Sequence, residues 1–210
     1  TGMGLYHPIY LQRARKICTQ YQVHLIADEI AVGFGRTGTM FACNQADITP
    51  DFLCLSKGLS GGYLPLSVVM TDDKVFQAFY HDKTAHAFLH SHSHTGNALA
   101  CRAALATLDI FEQNQVIETN KIKATYLNKI AVSLLTHPKV KNFRNCGMIW
   151  AFEVITDDPD FAAKCFQAGL KQQLLLRPLG KTIYFMPPYV INEQEMNLLI
   201  DGTLHVLDAL

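Results

Sequence analysis

Two polar residues stand where short apolar runs end. Asp28 follows Val23-His24-Leu25-Ile26-Ala27, and Lys57 follows Phe52-Leu53-Cys54-Leu55 and Ser56, 29 positions further on. In open α/β sheets ligands collect in the crevice at the carboxyl ends of the strands, so side chains leaving two neighbouring strand ends can share one pocket. An amine and a carboxylate placed in this way suit pyridoxal 5'-phosphate (PLP) chemistry. The amine condenses with the cofactor aldehyde, and the carboxylate keeps the pyridine nitrogen protonated, so that the ring can draw electrons from a substrate Cα. Lys57 behind an apolar strand is expected to be desolvated and therefore neutral and nucleophilic. Once released, the same amine can carry a proton between Cα and the cofactor carbon. Glu29, beside Asp28, is balanced between a substrate pocket and a structural ion pair, and stays outside the catalytic set.

The elements that would position this pair can be read from periodicity. Tyr6-His7-Pro8 resembles a helix start, and Tyr10, Ala14, Ile17, Cys18 and Tyr21 recur on one face, which predicts a helix with one buried side. Val23–Ala27 and Phe52–Leu55 read as buried strands, the first covered on both faces, and Leu66–Met70 as a third. Phe88–His94 fits strand or ordered loop. Thr95-Gly96-Asn97 caps a helix over Ala98–Glu112. Leu127, Ile130, Ala131 and Leu134 keep helical spacing, and the pattern changes near His137-Pro138. Beyond it, strands are expected at Met148–Ile155, Leu174–Arg177 and Thr182–Met186, with helices over Phe161–Gln173 and Glu193–Leu210.

Bulk composition excludes several classes. The 210 residues carry 18 Lys plus Arg against 18 Asp plus Glu, and 49% are hydrophobic. No net field attracts nucleic acid or an anionic membrane, and a folded domain with a small-molecule site is favoured over disorder. No run of about 18 apolar residues suggests a membrane span. The first residues do not resemble a signal peptide, so the cytoplasm is expected. Six cysteines without C-x-x-C spacing read as buried thiols.

The block Leu25-Ile26-Ala27-Asp28-Glu29-Ile30 with Gly33-Phe34-Gly35-Arg36-Thr37-Gly38, followed by Leu55-Ser56-Lys57-Gly58-Leu59-Ser60-Gly61-Gly62, resembles the class III aminotransferases. The resemblance extends over essentially the whole chain. It implies a fold type I PLP enzyme, an α/β protein. Residues 1–110 would form the later part of a mainly parallel large-domain sheet, and residues 111–210 a linking helix and a small C-terminal α+β domain. It implies Lys57 as the catalytic lysine, Asp28 as the pyridinium partner, and a homodimer. The segment His92-Ser93-His94-Thr95-Gly96-Asn97 is similar to the family's phosphate loop, which reaches the neighbouring subunit's PLP. Ser93 would bind phosphate through its hydroxyl, with the His92 backbone beside it. The segment 176–189 most resembles the family members of biotin synthesis. By that resemblance Arg177 grips a substrate carboxylate, a task suited to a planar guanidinium, and Ser91 lies at the substrate end. The keto acceptor would be 8-amino-7-oxononanoate, with S-adenosylmethionine as amino donor.

Family members are roughly twice this length, and the segment by itself is expected to be an inactive piece of a longer enzyme. Ser91 stands where a glycine is common, and Ser93 where many relatives have threonine.

Rival readings of the same residues remain. Asp28-Glu29 after an apolar run resembles a Walker-B strand, and Gly180-Lys181-Thr182 the end of a P-loop, but Leu175 occupies the position of the required first glycine. His90, His92 and His94 alternate as a metal site could, yet no further ligand is suitably spaced, and no metal is expected. An interaction module without activity is a third possibility, and other members of the class acting on ornithine, 4-aminobutyrate or ω-amino acids a fourth.

Overall fold

The computed structural model describes residues 2–210 and divides into two compact units. One is His7–Val116. The other is Ile117–Leu210 together with the described residues ahead of His7.

The first unit opens with helix α1 (Ile9–Gln20). Its apolar face does not become a buried one: no α1 residue is buried among the described residues, and Tyr10 and Ile17 are exposed. Its described contacts are polar and run along one side, where Gln12 Nε2 donates to the Ala46 carbonyl and Arg15 pairs with Asp51 at 2.6 Å. Strands β1 (Ile26–Asp28), β2 (Phe52–Leu55) and β3 (Val68–Thr71) form one sheet in that order. β1 and β2 are parallel, with Asp28 opposite Cys54, whereas β3 runs antiparallel to β2. The expected cover of β1 on both faces is not found among the described residues: Ile26 and Asp28 are exposed and Ala27 is half-buried.

Asp51 fixes where this sheet begins. Its Oδ2 accepts from Arg15 Nη1 and from the Leu25 N–H, each at 2.6 Å. These donors hold its carboxyl below the usual carboxylate range, the Leu25 amide contributing most. The short α2 (Asp73–Gln77) follows β3, and residues 88–94 are a loop rather than a strand. α3 (Ala98–Gln113) starts where the sequence indicates, with Asn97 Oδ1 accepting from the Ala100 N–H. A small core gathers Phe34, Leu55, Leu59 and Ala104, with Phe41 and Phe111 edge-on to Phe34.

The second unit contains α4 (Val116–Ile130) apart from its first residue, α5 (Val132–Leu135), β4 (Val140–Cys146), β5 (Ile149–Val154), α6 (Phe161–Lys171), β6 (Thr182–Phe185) and α7 (Glu193–Ala209). Its three strands are antiparallel in the order β4-β5-β6. β5 is the most buried element, and Trp150 and Phe152 lie at the centre of a large apolar core. α7 begins with a capping box in which Asn192 and Glu195 satisfy each other's backbone N–H groups.

One strand here has no signal in the sequence and one expected strand does not form, each for an identifiable reason. β4 escapes pattern reading because its register shifts between Lys141 and Arg144, with Asn142 at φ +52°, which breaks the alternation. Leu174–Arg177 does alternate, with Leu174 and Leu176 buried, but among the described residues it pairs with no strand, and an isolated bridge joins Leu179, just beyond it, to Thr182. That bridge closes a tight turn with Gly180 at φ +59°, so Gly180-Lys181-Thr182 is a hairpin corner rather than a phosphate-binding loop before a helix. The buried-thiol expectation holds for Cys43 and Cys165. Cys101 is exposed and the other three are intermediate.

Candidate active site

Asp28 and Lys57 are brought to the same edge of one sheet. Asp28 is the last residue of β1, and its partner Cys54 lies three residues ahead of Lys57 on the adjacent parallel strand, at the usual spacing of about 4.8 Å. The ladder continues one residue further, with the Glu29 N–H donating to the Cys54 carbonyl at 3.0 Å. Asp28 is exposed, and its Oδ1 accepts from the Ile30 N–H at 3.0 Å. This bond orients the carboxylate and leaves Oδ2 for a ligand.

Lys57 is exposed too, contrary to the desolvation expected behind an apolar strand. The chain leaves the sheet at Ser56, and a tight 3-10 turn, Lys57–Ser60, lifts the lysine out of the buried layer. Lys57 lines a depression of about 370 Å3 with Ser56, Ser60 and the segment 62–66. α3 packs beside this turn, with the Thr107 hydroxyl 3.3 Å from where a Cβ on Gly61 would stand.

Glu29 resolves as structural. It is 3% exposed, and its two carboxylate oxygens accept from the Ala42 and Cys43 N–H groups at 2.5 and 2.7 Å, at the start of the 3-10 turn Ala42–Ala46. A buried carboxylate so satisfied anchors the chain immediately after Asp28. It also helps push the Cys43 thiol up to about 12, burial being the larger cause. The sequence offered one signal for this role, the polar Glu29 placed ahead of the glycine-bearing loop.

The loop His90–Asn97 is ordered by its own bonds. The His92 N–H donates to Thr95 Oγ1, the His94 N–H to His92 Nδ1, and the Thr95 N–H to the His92 carbonyl, at 3.0, 3.1 and 2.9 Å. Ser91 and His92 line a cleft of about 760 Å3 whose opposite wall is Ser56 and Leu64–Ser67. Ser56 and Leu64–Leu66 are shared with the Lys57 depression, so the two hollows adjoin. Ser93 is exposed and contributes to neither. Among the described residues no group of three His, Cys, Asp or Glu side chains is placed to hold a metal. Arg177 belongs to the second unit, where it is exposed between buried Leu176 and half-buried Pro178.

The family model for aminotransferase class-III matches residues 1–207. The adenosylmethionine-8-amino-7-oxononanoate aminotransferase of Helicobacter pylori is 48% identical over 215 residues, covering 100% of this chain and 49% of that protein. The protein of the same description from Aquifex aeolicus is 39% identical, covering 95% of this chain and 46% of its own length. The crystal structure of the Methanocaldococcus jannaschii adenosylmethionine-8-amino-7-oxononanoate aminotransferase superposes with a TM-score of 0.93 at 34% identity, over 99% of this chain and 51% of that one. An ω-transaminase from Pseudomonas jessenii, solved in complex with PMP, superposes with a TM-score of 0.89 at 28% identity, over 99% and 48%. The chain thus spans about half the length of the relatives it matches. With Asp28 and Lys57 at adjacent strand ends and the family match running over nearly every residue, the chain belongs to the class III aminotransferases.

Proposed function

We propose that the protein containing this chain is a PLP-dependent aminotransferase that converts 8-amino-7-oxononanoate to 7,8-diaminononanoate for biotin synthesis, with S-adenosylmethionine as amino donor. The observation that carries this reading is the 48% identity to the Helicobacter pylori enzyme across the full chain, on top of the Asp28–Lys57 arrangement. The site fits the cofactor: Asp28 presents one oriented, accessible carboxylate, and Lys57 stands on the neighbouring strand end in its own depression.

When bound, PLP supplies the protonated ring that accepts the electrons of a breaking Cα–H bond. Asp28 would hold the proton on the ring nitrogen through its carboxylate. Lys57 would hold the cofactor through its amine and would serve as the base that moves the Cα proton. Ser93 binds phosphate through its hydroxyl, the His92 N–H being committed to Thr95 Oγ1 in this chain; Ser91 lies at the substrate end, and Arg177 holds the acceptor carboxylate. Ser93's exposed position outside the Lys57 depression is consistent with service to a second subunit, and we assign the protein as a cytoplasmic homodimer. Among the described residues no helix is long and apolar enough to cross a membrane.

Full-length protein incubated with PLP is expected to gain an absorption band near the visible edge, and borohydride reduction is expected to fix the cofactor on Lys57. Labelling of another lysine, or of none, would overturn the assignment. The fold shared with ω-transaminases favours one second reading, an ω-amino acid transaminase. A screen of donors and acceptors on the complete protein separates the two, since only the first forms 7,8-diaminononanoate.

A further inference from the structure

The lysine turn is held in a conformation that it would not adopt by itself. Lys57 has φ +44°, in the left-handed region that residues bearing a Cβ occupy only when their surroundings over-determine it. Ser56 ahead of it is fully extended, at φ −164° and ψ −151°. Gly58 behind it lies against Phe34, and a Cβ there would stand 2.9 Å from the Phe34 Cβ.

Two serine hydroxyls bracket the lysine. Ser56 Oγ donates to the Leu66 carbonyl at 2.8 Å, and Ser60 Oγ to the Leu64 carbonyl at 2.5 Å. The Ser60 carbonyl in turn accepts from the Tyr63 N–H at 3.1 Å. Ser60 is 3% exposed, so its hydroxyl has little water to turn to and is committed to the Leu64 carbonyl. The turn is therefore stitched at both ends to the returning segment 64–66, which is also a wall of the Lys57 depression. Neither hydroxyl is otherwise engaged in the chemistry assigned to Asp28 and Lys57.

We propose that Ser60, assisted by Ser56, is a positioning residue: it holds Lys57 in its left-handed backbone and so fixes where the amine stands in the depression. The inference rests on the reading of Lys57 as the cofactor lysine. A loose turn would present the amine in several orientations, weakening capture of the cofactor aldehyde and changing the environment in which the lysine–cofactor adduct titrates.

The test uses the full-length protein and four variants: Ser60→Ala, Ser60→Thr, Ser56→Ala and Thr203→Val. Thr203 is fully buried in α7, where its hydroxyl donates to the Leu199 carbonyl at 2.6 Å, so Thr203→Val controls for loss of a buried hydroxyl outside the site. The readouts are the PLP dissociation constant, the pH titration of the lysine–cofactor absorption band, and the melting temperature. Ser60→Ala is expected to weaken PLP binding about tenfold, the equivalent of one lost buried hydrogen bond, and to displace the band's titration midpoint. Ser60→Thr is expected to restore both. Thr203→Val should lower the melting temperature and leave both unmoved. Wild-type affinity and titration in Ser60→Ala would overturn the proposal, as would equal changes in Thr203→Val. If Ser60→Ala fails to fold, Ser56→Ala carries the same expectations. A wild-type protein that forms no adduct at Lys57 would remove the cofactor reading and this inference together, whereas a normal adduct with unaffected serine variants would remove this inference alone.

Discussion

A carboxylate that is to keep a ring nitrogen protonated must be accessible, oriented and charged, and Asp28 meets the first two conditions through one bond to the next turn of backbone. Glu29 beside it fails the first, because it is buried and both of its oxygens are occupied by backbone amides. Adjacent acids of the same chemistry thus take different roles according to which way the strand end turns them. Arg177 is a residue-scale proposal of another kind, since its role depends on a ligand. In the full-length enzyme, Arg177→Ala is expected to raise KM for the carboxylate-bearing acceptor by at least about tenfold, the worth of a charge-assisted bidentate contact, while the PLP dissociation constant stays within twofold. Titrations of acceptor and cofactor on one preparation check this, and equal loss of both would count against a substrate role.

At the scale of elements, Asp51 does for β1 and β2 what a helix cap does for a helix: it satisfies the Leu25 N–H and pins Arg15 of α1 with a single oxygen. Its carboxyl titrates below its ordinary value in the folded chain. The stabilisation is therefore complete above about pH 4, the unfolded-state value, and is lost as pH falls through the lower folded-state value. Asp51→Asn is expected to cost about 1–2 kcal/mol at neutral pH and to flatten the acid limb of stability against pH; urea unfolding between pH 3 and pH 7 measures both. Helix α3 and strand β2 were legible in the sequence almost to the residue, because Asn97 is a strong cap and Phe52–Leu55 is bounded by Asp51 and Ser56. β4 was not legible, since a bulge removes the period-two signal, and Leu174–Arg177 misled, since burial on alternate sides does not require a ladder partner.

At the scale of the molecule, the two units differ in how they bury their apolar residues. The second unit closes a continuous core around β5, in which Trp150 is fully buried and its indole N–H donates to Asn128 Oδ1 at 2.7 Å. In the first unit, every residue of β3 is exposed and no residue of α1 is buried among the described residues. Trp150 is the one tryptophan of this chain, so its emission reports the second unit. Asn128→Ala is expected to lower that unit's stability by about 1–3 kcal/mol by stranding a buried donor, read as an earlier red shift of emission during urea unfolding. An unchanged midpoint would show that the indole finds another acceptor.

The sequence by itself determined the family, the α/β class and the Asp28–Lys57 pair, because strand-end motifs are local: their residues lie within a few positions of the turn that presents them. Tertiary structure alone decided that Lys57 is exposed rather than desolvated, that Glu29 is an anchor, and that two serine hydroxyls tie the lysine turn to residues 64–66. Each of these depends on which backbone amide, carbonyl or solvent meets a side chain after the chain has folded back, and no spacing along the chain encodes that meeting.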